Sequence, residues 1–452
     1  MSELSSGSLD QDTIAAIATA PGRGGIGVIR LSGPNAKSIA LSLTQLQSLK
    51  PRYAHYTRFI DDLETIDDGL TLFFPAPNSF TGEDVVELQG HGGPIILQML
   101  LRRCLDLGAR QARPGEFSER AFLNDKLDLV QAEAIADLIN AQTSIAARQA
   151  QASLRGTFSN AIDSIRHQLV GLRKYVEAAI DFPEEEIDFL TEGHVAQQLA
   201  TLLADAQHLR HNARQGAIFR SGATVVLAGK PNAGKSSLLN ALAEDQIAIV
   251  TEQPGTTRDI VREHVEINGV PLHLTDTAGL RESSDLIEQE GIKRAQQAIA
   301  NADLTVHLID DTDSSGNIDD LFQPNGPLLT VKTKIDLSNR TPGVVSDALT
   351  PTVAISSKTG AGLEDLKTQM LQLIGVDEGG NTLFSARERH LIALNACIDT
   401  LTFAESQFLR SGAGELLAED LRHAHDQLGE ITGRMTSDEL LGEIFSSFCI
   451  GK

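Results

Sequence analysis

The sequence has little cysteine, no long apolar run and a shortage of positive charge, and each lack closes off a class of function. Its three cysteines, Cys104, Cys397 and Cys449, are far apart in 452 residues. That excludes a disulfide framework and fits a reducing compartment. No Cys/His group has the spacing of a zinc site. No apolar stretch approaches the ~20 residues needed to cross a bilayer, and the polar start MSELSSGSLDQDT lacks the regions of a signal peptide. A cytoplasmic location is expected. Lysine plus arginine number 38 against 61 aspartate plus glutamate, a formal charge of −23. Such a surface repels nucleic acid over most of its area, so contact with nucleic acid requires a local basic patch or a more basic partner protein.

What is present comes in three styles. From Asp12 to about Asn124 the chain is rich in strands and turns: Ala15–Thr19 and Gly27–Leu31 flank the turn Pro21-Gly22-Arg23-Gly24-Gly25, Thr71–Phe74 and Asp84–Leu88 read as further strands, and Gly90-His91-Gly92-Gly93-Pro94 opens an apolar helix. Helical periodicity takes over at Lys126, with Leu127, Val130, Ala134 and Leu138 on one stripe, and recurs through Ile162–Tyr175 and Val195–Leu209. Strands alternate with helices from near Phe219 to about Ile374, and Leu391–Phe408 and Gly414–Leu428 are again helical. The expected fold is therefore multidomain α+β: an α+β domain over 1–124, a helical domain over 125–218 and 377–452, and an α/β domain inserted at 219–376. Four domains in a row is the alternative, but the last segment is short for a core of its own.

The inserted domain carries the chemistry. The strand Val225–Ala228 runs into Gly229-Lys230-Pro231-Asn232-Ala233-Gly234-Lys235-Ser236, followed by Ser237 and a helix to Ala243. G-x-x-x-x-G-K-S between a strand and a helix is a phosphate-binding loop. Its glycines let backbone N–H groups face phosphates, Lys235 brings a positive charge to them, and the Ser236 hydroxyl suits magnesium. Leu274-Thr275-Asp276-Thr277-Ala278-Gly279 supplies a carboxylate, Asp276, that holds the magnesium through water, and a γ-phosphate sensor. Between the two lies Gly255-Thr256-Thr257-Arg258-Asp259, a switch loop whose threonines, Thr257 among them, close over the magnesium, and Thr251-Glu252-Gln253-Pro254 just before it is expected at the nucleotide as well. Thr333-Lys334-Ile335-Asp336 follows the strand Leu328–Val331, and a carboxylate there accepts two hydrogen bonds from guanine where adenine has no matching donors. Ser356-Ser357-Lys358 completes the base site. These five motifs in order specify a Ras-like α/β P-loop GTPase. Where Ras-like enzymes place a water-aligning glutamine stands Leu280, so the alignment falls to other groups, with Arg281, Glu282, Asp285, Glu288 and Glu290 close by.

Several residues carry two readings. Cys449 is a chemically active thiol or a packing residue; Cys104 and Cys397, in apolar helical patterns, are core. His91 touches a ligand or is a turn histidine held by backbone. Glu184–Glu186 reads as a solvated helix start.

Motifs outside the GTPase core carry a resemblance. Pro21–Gly27, Phe80-Thr81-Gly82-Glu83-Asp84, Gly90–Gly93, Arg113-Pro114-Gly115-Glu116-Phe117, Phe122–Leu129 and Phe448-Cys449-Ile450-Gly451-Lys452 resemble the MnmE (TrmE) family of tRNA-modifying GTPases nearly end to end. The resemblance implies a GTPase that, with a flavin-containing partner (MnmG), adds a (carboxymethyl)aminomethyl-type group to C5 of the wobble uridine of certain tRNAs. It implies a folate-binding-like N-terminal domain that forms a homodimer and holds 5-formyl- or methylene-tetrahydrofolate, with Arg30, Glu87, Lys126 and Lys452 at the folate. It also implies a potassium ion in place of an arginine finger, held by Asn232, Thr251, Gln253 and Thr256, with Glu288 orienting water. A basic flavoprotein would supply the surface for tRNA that a −23 body lacks. A GTP-controlled ribosome-assembly scaffold is the competing function, but the flanking domains here are acidic.

Overall fold

The computed structural model describes residues 12–62, 64–181, 195–244, 262–276, 296–313, 325–345, 350–377, 383–434, 438–448 and 450–451. Two compact units share them: Met1–Ala136 with Leu428–Lys452, and Asp137–Gln427.

In the first unit β1 (Ile14–Ile17), β2 (Gly24–Ser32), β3 (His55–Asp61), β4 (Glu64–Phe74), β5 (Val85–Gly92) and β6 (Arg110–Gln111) form a sheet in the order β3-β4-β5-β2-β1-β6. Its neighbours are antiparallel except the β1–β6 pair, which is parallel. Alternation along the strands separates two faces. Ala15, Ile29, Leu31, Phe59, Phe73, Val86 and Leu88 point to one face. They are covered there by Ile39 and Leu43 of the helix Ala36–Thr44 and by Leu97, Leu100 and Cys104 of the helix Pro94–Asp106. Their neighbours Ile14 and Ala16 point the other way, onto Ala112, Phe117 and Phe80.

β2, β4 and β5 run longer than the sequence pattern suggests, while β1 is one residue shorter. Gly90-His91-Gly92 is not a turn but the end of β5, and the helix starts only at Pro94. His91 is anchored by a carboxylate: its Nδ1 is 2.7 Å from Asp67 Oδ1, and its backbone N–H donates to Oδ2 at 2.7 Å. The helix Asp438–Ser446 returns to this unit, where Ile444, Phe445 and Phe448 bury against Leu129 and Ala132.

In the second unit the helices Thr157–Asp181 and Val195–Ser221 precede an α/β domain, and the helix Glu388–Ser411 follows it. Val195–Ser221 packs against both of the others. Helices from either side of the α/β segment therefore pack against one another. Phe158 stacks on Phe384 with ring centroids 4.5 Å apart. Asp137 accepts a 2.6 Å bond from Arg387 Nη2. The stretch Glu184–Glu186 lies outside the described residues.

The α/β domain holds β7 (Ala223–Ala228), β8 (Arg262–Ile267), β9 (Val270–Asp276), β10 (Leu304–Asp310), β11 (Leu328–Thr333), β12 (Gly343–Val344) and β13 (Thr352–Ala354). The order is β12-β13-β11-β10-β7-β9-β8, with the five inner strands parallel and the two outer ones antiparallel to their neighbours. Val225, Leu227, Leu272, Leu274, Val306, Leu308, Leu329 and Val331 are buried on one face, and Val226 packs against Ile299 and Ala302 on the other, as a parallel sheet covered on both faces requires. The carboxyl ends of the parallel strands meet along one edge, where ligands of such sheets bind.

Candidate guanine-nucleotide site

The phosphate loop leaves β7 at that edge. Gly229 has φ 151°, and a Cβ there would lie 2.5 Å from the Leu308 carbonyl oxygen of β10, so only glycine fits. Asn232 and Gly234 also have positive φ, 66° and 93°, which turns the loop back into the helix Lys235–Glu244. That helix begins two residues earlier than the pattern suggested. The buried Lys235 ammonium donates to the Gly229 and Lys230 carbonyl oxygens at 2.9 and 3.0 Å, within the loop itself. Ser236 and Ser237 are exposed in the first turn, and Ala233 is buried beneath the loop.

Asp276 closes β9 and is the register partner of Leu227, which sets its carboxylate beside the start of the loop. An exposed hydroxyl and a strand-end carboxylate are hard oxygen donors of the kind magnesium prefers. Thr277, Ala278, Gly279, the whole of Thr251–Thr257 and Glu288 lie outside the described residues.

The base-reading residues arrive from two further strands. Thr333 ends β11, and its hydroxyl donates to the Ala233 carbonyl at 2.8 Å. Lys334, at φ 59°, turns the chain so that its ammonium donates to Asp310 Oδ2 at 2.6 Å. Asp336 is exposed, and the buried Ser356 donates to its Oδ1 at 2.7 Å. The Thr359 N–H donates in turn to the Ser356 hydroxyl oxygen at 3.3 Å. Ser357 is half-buried and Lys358 exposed beside them. One sheet edge thus gathers the phosphate loop, Asp276 and an exposed carboxylate held by Ser356.

Sequence reasoning passed over Asp310, Asp311 and Thr312, just after the strand they terminate. Asp310 also accepts bonds from the Thr312 N–H and hydroxyl at 3.0 and 2.7 Å. The Lys334 ammonium, helped by Thr312, holds its carboxyl down at about 2, from an ordinary 3.8. Asp311 lies below its ordinary range too: burial pushes it up, but bonds from Arg340 and Ser338 outweigh that. An acidic pair at the carboxyl end of an apolar strand was the available signal.

The first unit holds the other predicted residues. Arg30 on β2 and Glu87 on β5 are register partners, and Arg30 Nε and Nη2 donate to Glu87 Oε1 at 3.1 and 2.9 Å. The guanidinium carbon sits 5.5 Å from the Phe80 ring centroid and 5.8 Å from that of Phe117. Lys126 Nζ donates to the Pro77 carbonyl at 2.9 Å. Cys449 and Lys452 lie outside the described residues. Ile450 between them bridges Pro114, and a Cβ on Gly451 would lie 2.4 Å from the Ile17 carbonyl oxygen. The tail therefore meets the end of β1, and the β1 residue Ala16 is itself the register partner of Arg30.

A profile described as the MnmE helical domain matches residues 129–449, and one described as the GTP-binding protein TrmE N-terminus matches residues 13–126. The tRNA modification GTPase MnmE of Pseudomonas paraeruginosa is 54% identical, covering 98% of this chain and 99% of that protein. The chain belongs to the MnmE family of tRNA modification GTPases. The Pseudomonas fluorescens member is likewise 54% identical, over 98% of this chain and 100% of its own. Among solved structures, the G domain of the T. maritima FeoB iron transporter is 26% identical over 33% of this chain and 98% of that one, at a TM-score of 0.26. That value is too low to carry an inference about this chain.

Two of the stretches that marked the MnmE resemblance meet in one ion network. Glu116, almost fully buried, accepts bonds from Arg110 Nη1 and the Arg113 N–H at 3.1 and 2.7 Å. Arg120 spans Asp12, Glu83 and Glu116, with its Nη2 2.6 Å from Asp12 Oδ1. Burial alone would raise the Glu116 carboxyl, but these partners hold it below its usual range. Glu83 and Glu116 are thus structural here, because a buried charge needs partners. Among the described residues no helix is long and apolar enough to cross a membrane.

Proposed function

We propose that this MnmE-family GTPase hydrolyses GTP at the edge built by β7, β9, β10, β11 and β13, and uses the cycle to drive one-carbon modification of the wobble uridine of tRNA together with a flavin-containing partner. The observation that carries the nucleotide half is the convergence of Gly229–Ser236 with an Asp336 carboxylate oriented by Ser356. Asp336 accepts from the guanine edge, the loop N–H groups and Lys235 hold phosphate, and Ser236, Thr257 and Asp276 hold magnesium. The metal would supply charge neutralisation on the phosphates.

The finer assignments form one reading. Asn232, exposed on the phosphate loop, holds potassium with Thr251, Gln253 and Thr256. Leu280 has no polar group for the attacking water, so Glu288 orients it. Tetrahydrofolate binds at Arg30, Glu87, Lys126 and Lys452, with Cys449 beside it. The site's chemistry suits that ligand: a carboxylate for the paired donors of a pterin, and cations and rings for an anionic, planar molecule. The first unit forms the homodimer, the domains divide at 124, 218 and 376, and the protein works in the cytoplasm. A flavoprotein partner provides the basic surface that tRNA needs.

Mass spectrometry of wobble nucleosides from cells lacking this protein tests the reading. The C5-modified uridine should vanish and return with the intact gene. An unchanged nucleoside profile would refute it.

A further inference from the structure

The segment that carries Asp336 is short and gives itself little support. Its helix, Ile335–Ser338, has four residues, fewer than a helix needs to stand on its own. Lys334 before it and Asn339 after it both lie in the left-handed region, at φ 59° and 57°, which side chains other than glycine adopt at a cost. Ile335 is buried, but Asp336 and Leu337 are exposed. Groups outside the segment must hold its shape.

Asp311, the residue after β10, reaches both flanks of that segment. Its Oδ2 accepts from the Ser338 hydroxyl at 2.6 Å and from Arg340 Nε at 2.8 Å. Its Oδ1 lies 3.6 Å from Lys332 Nζ on β11, and its own backbone N–H donates to the Thr333 carbonyl at 3.0 Å. The Asp311 side chain is only 6% exposed, whereas Lys332 and Arg340 reach it from side chains 31% and 38% exposed. A buried carboxylate with charged partners both before and after Asp336 fixes the two ends of the segment relative to each other.

We propose that Asp311 is a positioning residue for base selection: by clamping Lys332, Ser338 and Arg340 it holds the Asp336 carboxylate at the angle that accepts both donors of the guanine edge. It acts through Asp336, and the inference rests on Asp336 as the guanine-reading carboxylate. Hypoxanthine keeps the ring N–H of guanine but lacks the exocyclic amino group. Preference for guanine over hypoxanthine therefore measures whether both bonds are made. A carboxylate free to swing keeps one bond easily and both with difficulty, so loss of the clamp costs guanine more than hypoxanthine.

The test is competition of GDP and IDP against a fluorescent guanine nucleotide on the full chain in excess magnesium. The parent should prefer GDP. Asp311→Ala should weaken GDP binding by roughly tenfold, the order of one hydrogen bond to a charged group, and IDP binding much less, so that the preference shrinks. A general loss of stability would weaken both alike and leave the preference intact; that result, or unaltered binding of both, overturns the proposal. Ser338→Ala and Arg340→Gln cover the case in which Asp311→Ala fails to fold. Each cuts one arm of the clamp and should shrink the preference in the same direction, and a parental preference in both variants overturns the proposal equally. Equal affinity of the parent for GDP and IDP would remove the guanine reading itself, and the clamp with it.

Discussion

The Thr333 hydroxyl donates a 2.8 Å hydrogen bond to the Ala233 carbonyl, joining the end of the base-reading strand to the phosphate loop across 100 positions of sequence. Thr333→Val keeps the shape and removes the donor. The buried acceptor left behind costs ~1–3 kcal/mol, so GTP and GDP should both bind at least about fivefold more weakly. Thr333→Asn, which restores an N–H donor, should recover most of the loss. Fluorescent-nucleotide dissociation rates check both.

Asp310 fixes Lys334, beside Asp336 in sequence, through a 2.6 Å bond from its ammonium. Both side chains are partly exposed, so Asp310→Asn should weaken nucleotide binding by about fivefold, within the ~1 kcal/mol of such pairs, with little change in kcat. The pH dependence has a definite sign. A carboxyl lowered from 3.8 to about 2 stabilises the fold fully above 3.8 and loses that contribution as the pH falls toward 2. Between pH 5 and pH 8 the pair should add no pH dependence to the melting temperature, and in acid the Asn variant should lose less stability than the parent.

Potassium should accelerate hydrolysis and sodium should not. An arginine finger contributes ~10³–10⁵ in rate, and an ion in its place recovers part of that. Asn232→Ala should remove the difference between the salts and leave nucleotide binding largely intact. Equal rates of the parent protein in the two salts would take the ion out of the mechanism.

Cys104 and Cys397 are buried, and burial pushes both thiols up to about 12. Neither should react with iodoacetamide in the native protein at pH 8, and both should react after unfolding. Peptide mapping of the alkylated chain reads this directly.

The phosphate loop was legible because its chemistry needs eight contiguous residues between a strand and a helix. The Thr333–Asp336 segment was legible as the end of a strand carrying an exposed carboxylate, where Asp336 now accepts from Ser356. Cys104 and Cys397 were readable as core from the apolar pattern around them. Partners far apart in sequence were not. Nothing local links Thr333 to Ala233 or Asp310 to Lys334; parallel crossovers bring them together. The stretches around Glu83 and Glu116 read as family signatures, and their ion network appeared only when Asp12 and Arg120 came within reach. His91 looked like a turn residue because glycines flank it, yet β5 runs through it. The helix Ser144–Leu154, with its many small and polar residues, shows too little apolar contrast to stand out.

The most direct test of the nucleotide site is steady-state hydrolysis of GTP, XTP and ATP by the parent protein and by Asp336→Asn. An amide cannot accept both guanine hydrogen bonds but can donate to the extra oxygen of xanthine. The parent should hydrolyse GTP and leave ATP nearly untouched, and the variant should lose GTP and gain XTP. Equal turnover of ATP and GTP by the parent, or an unchanged preference in the variant, would contradict the assignment of this sheet edge as a guanine-reading GTPase site.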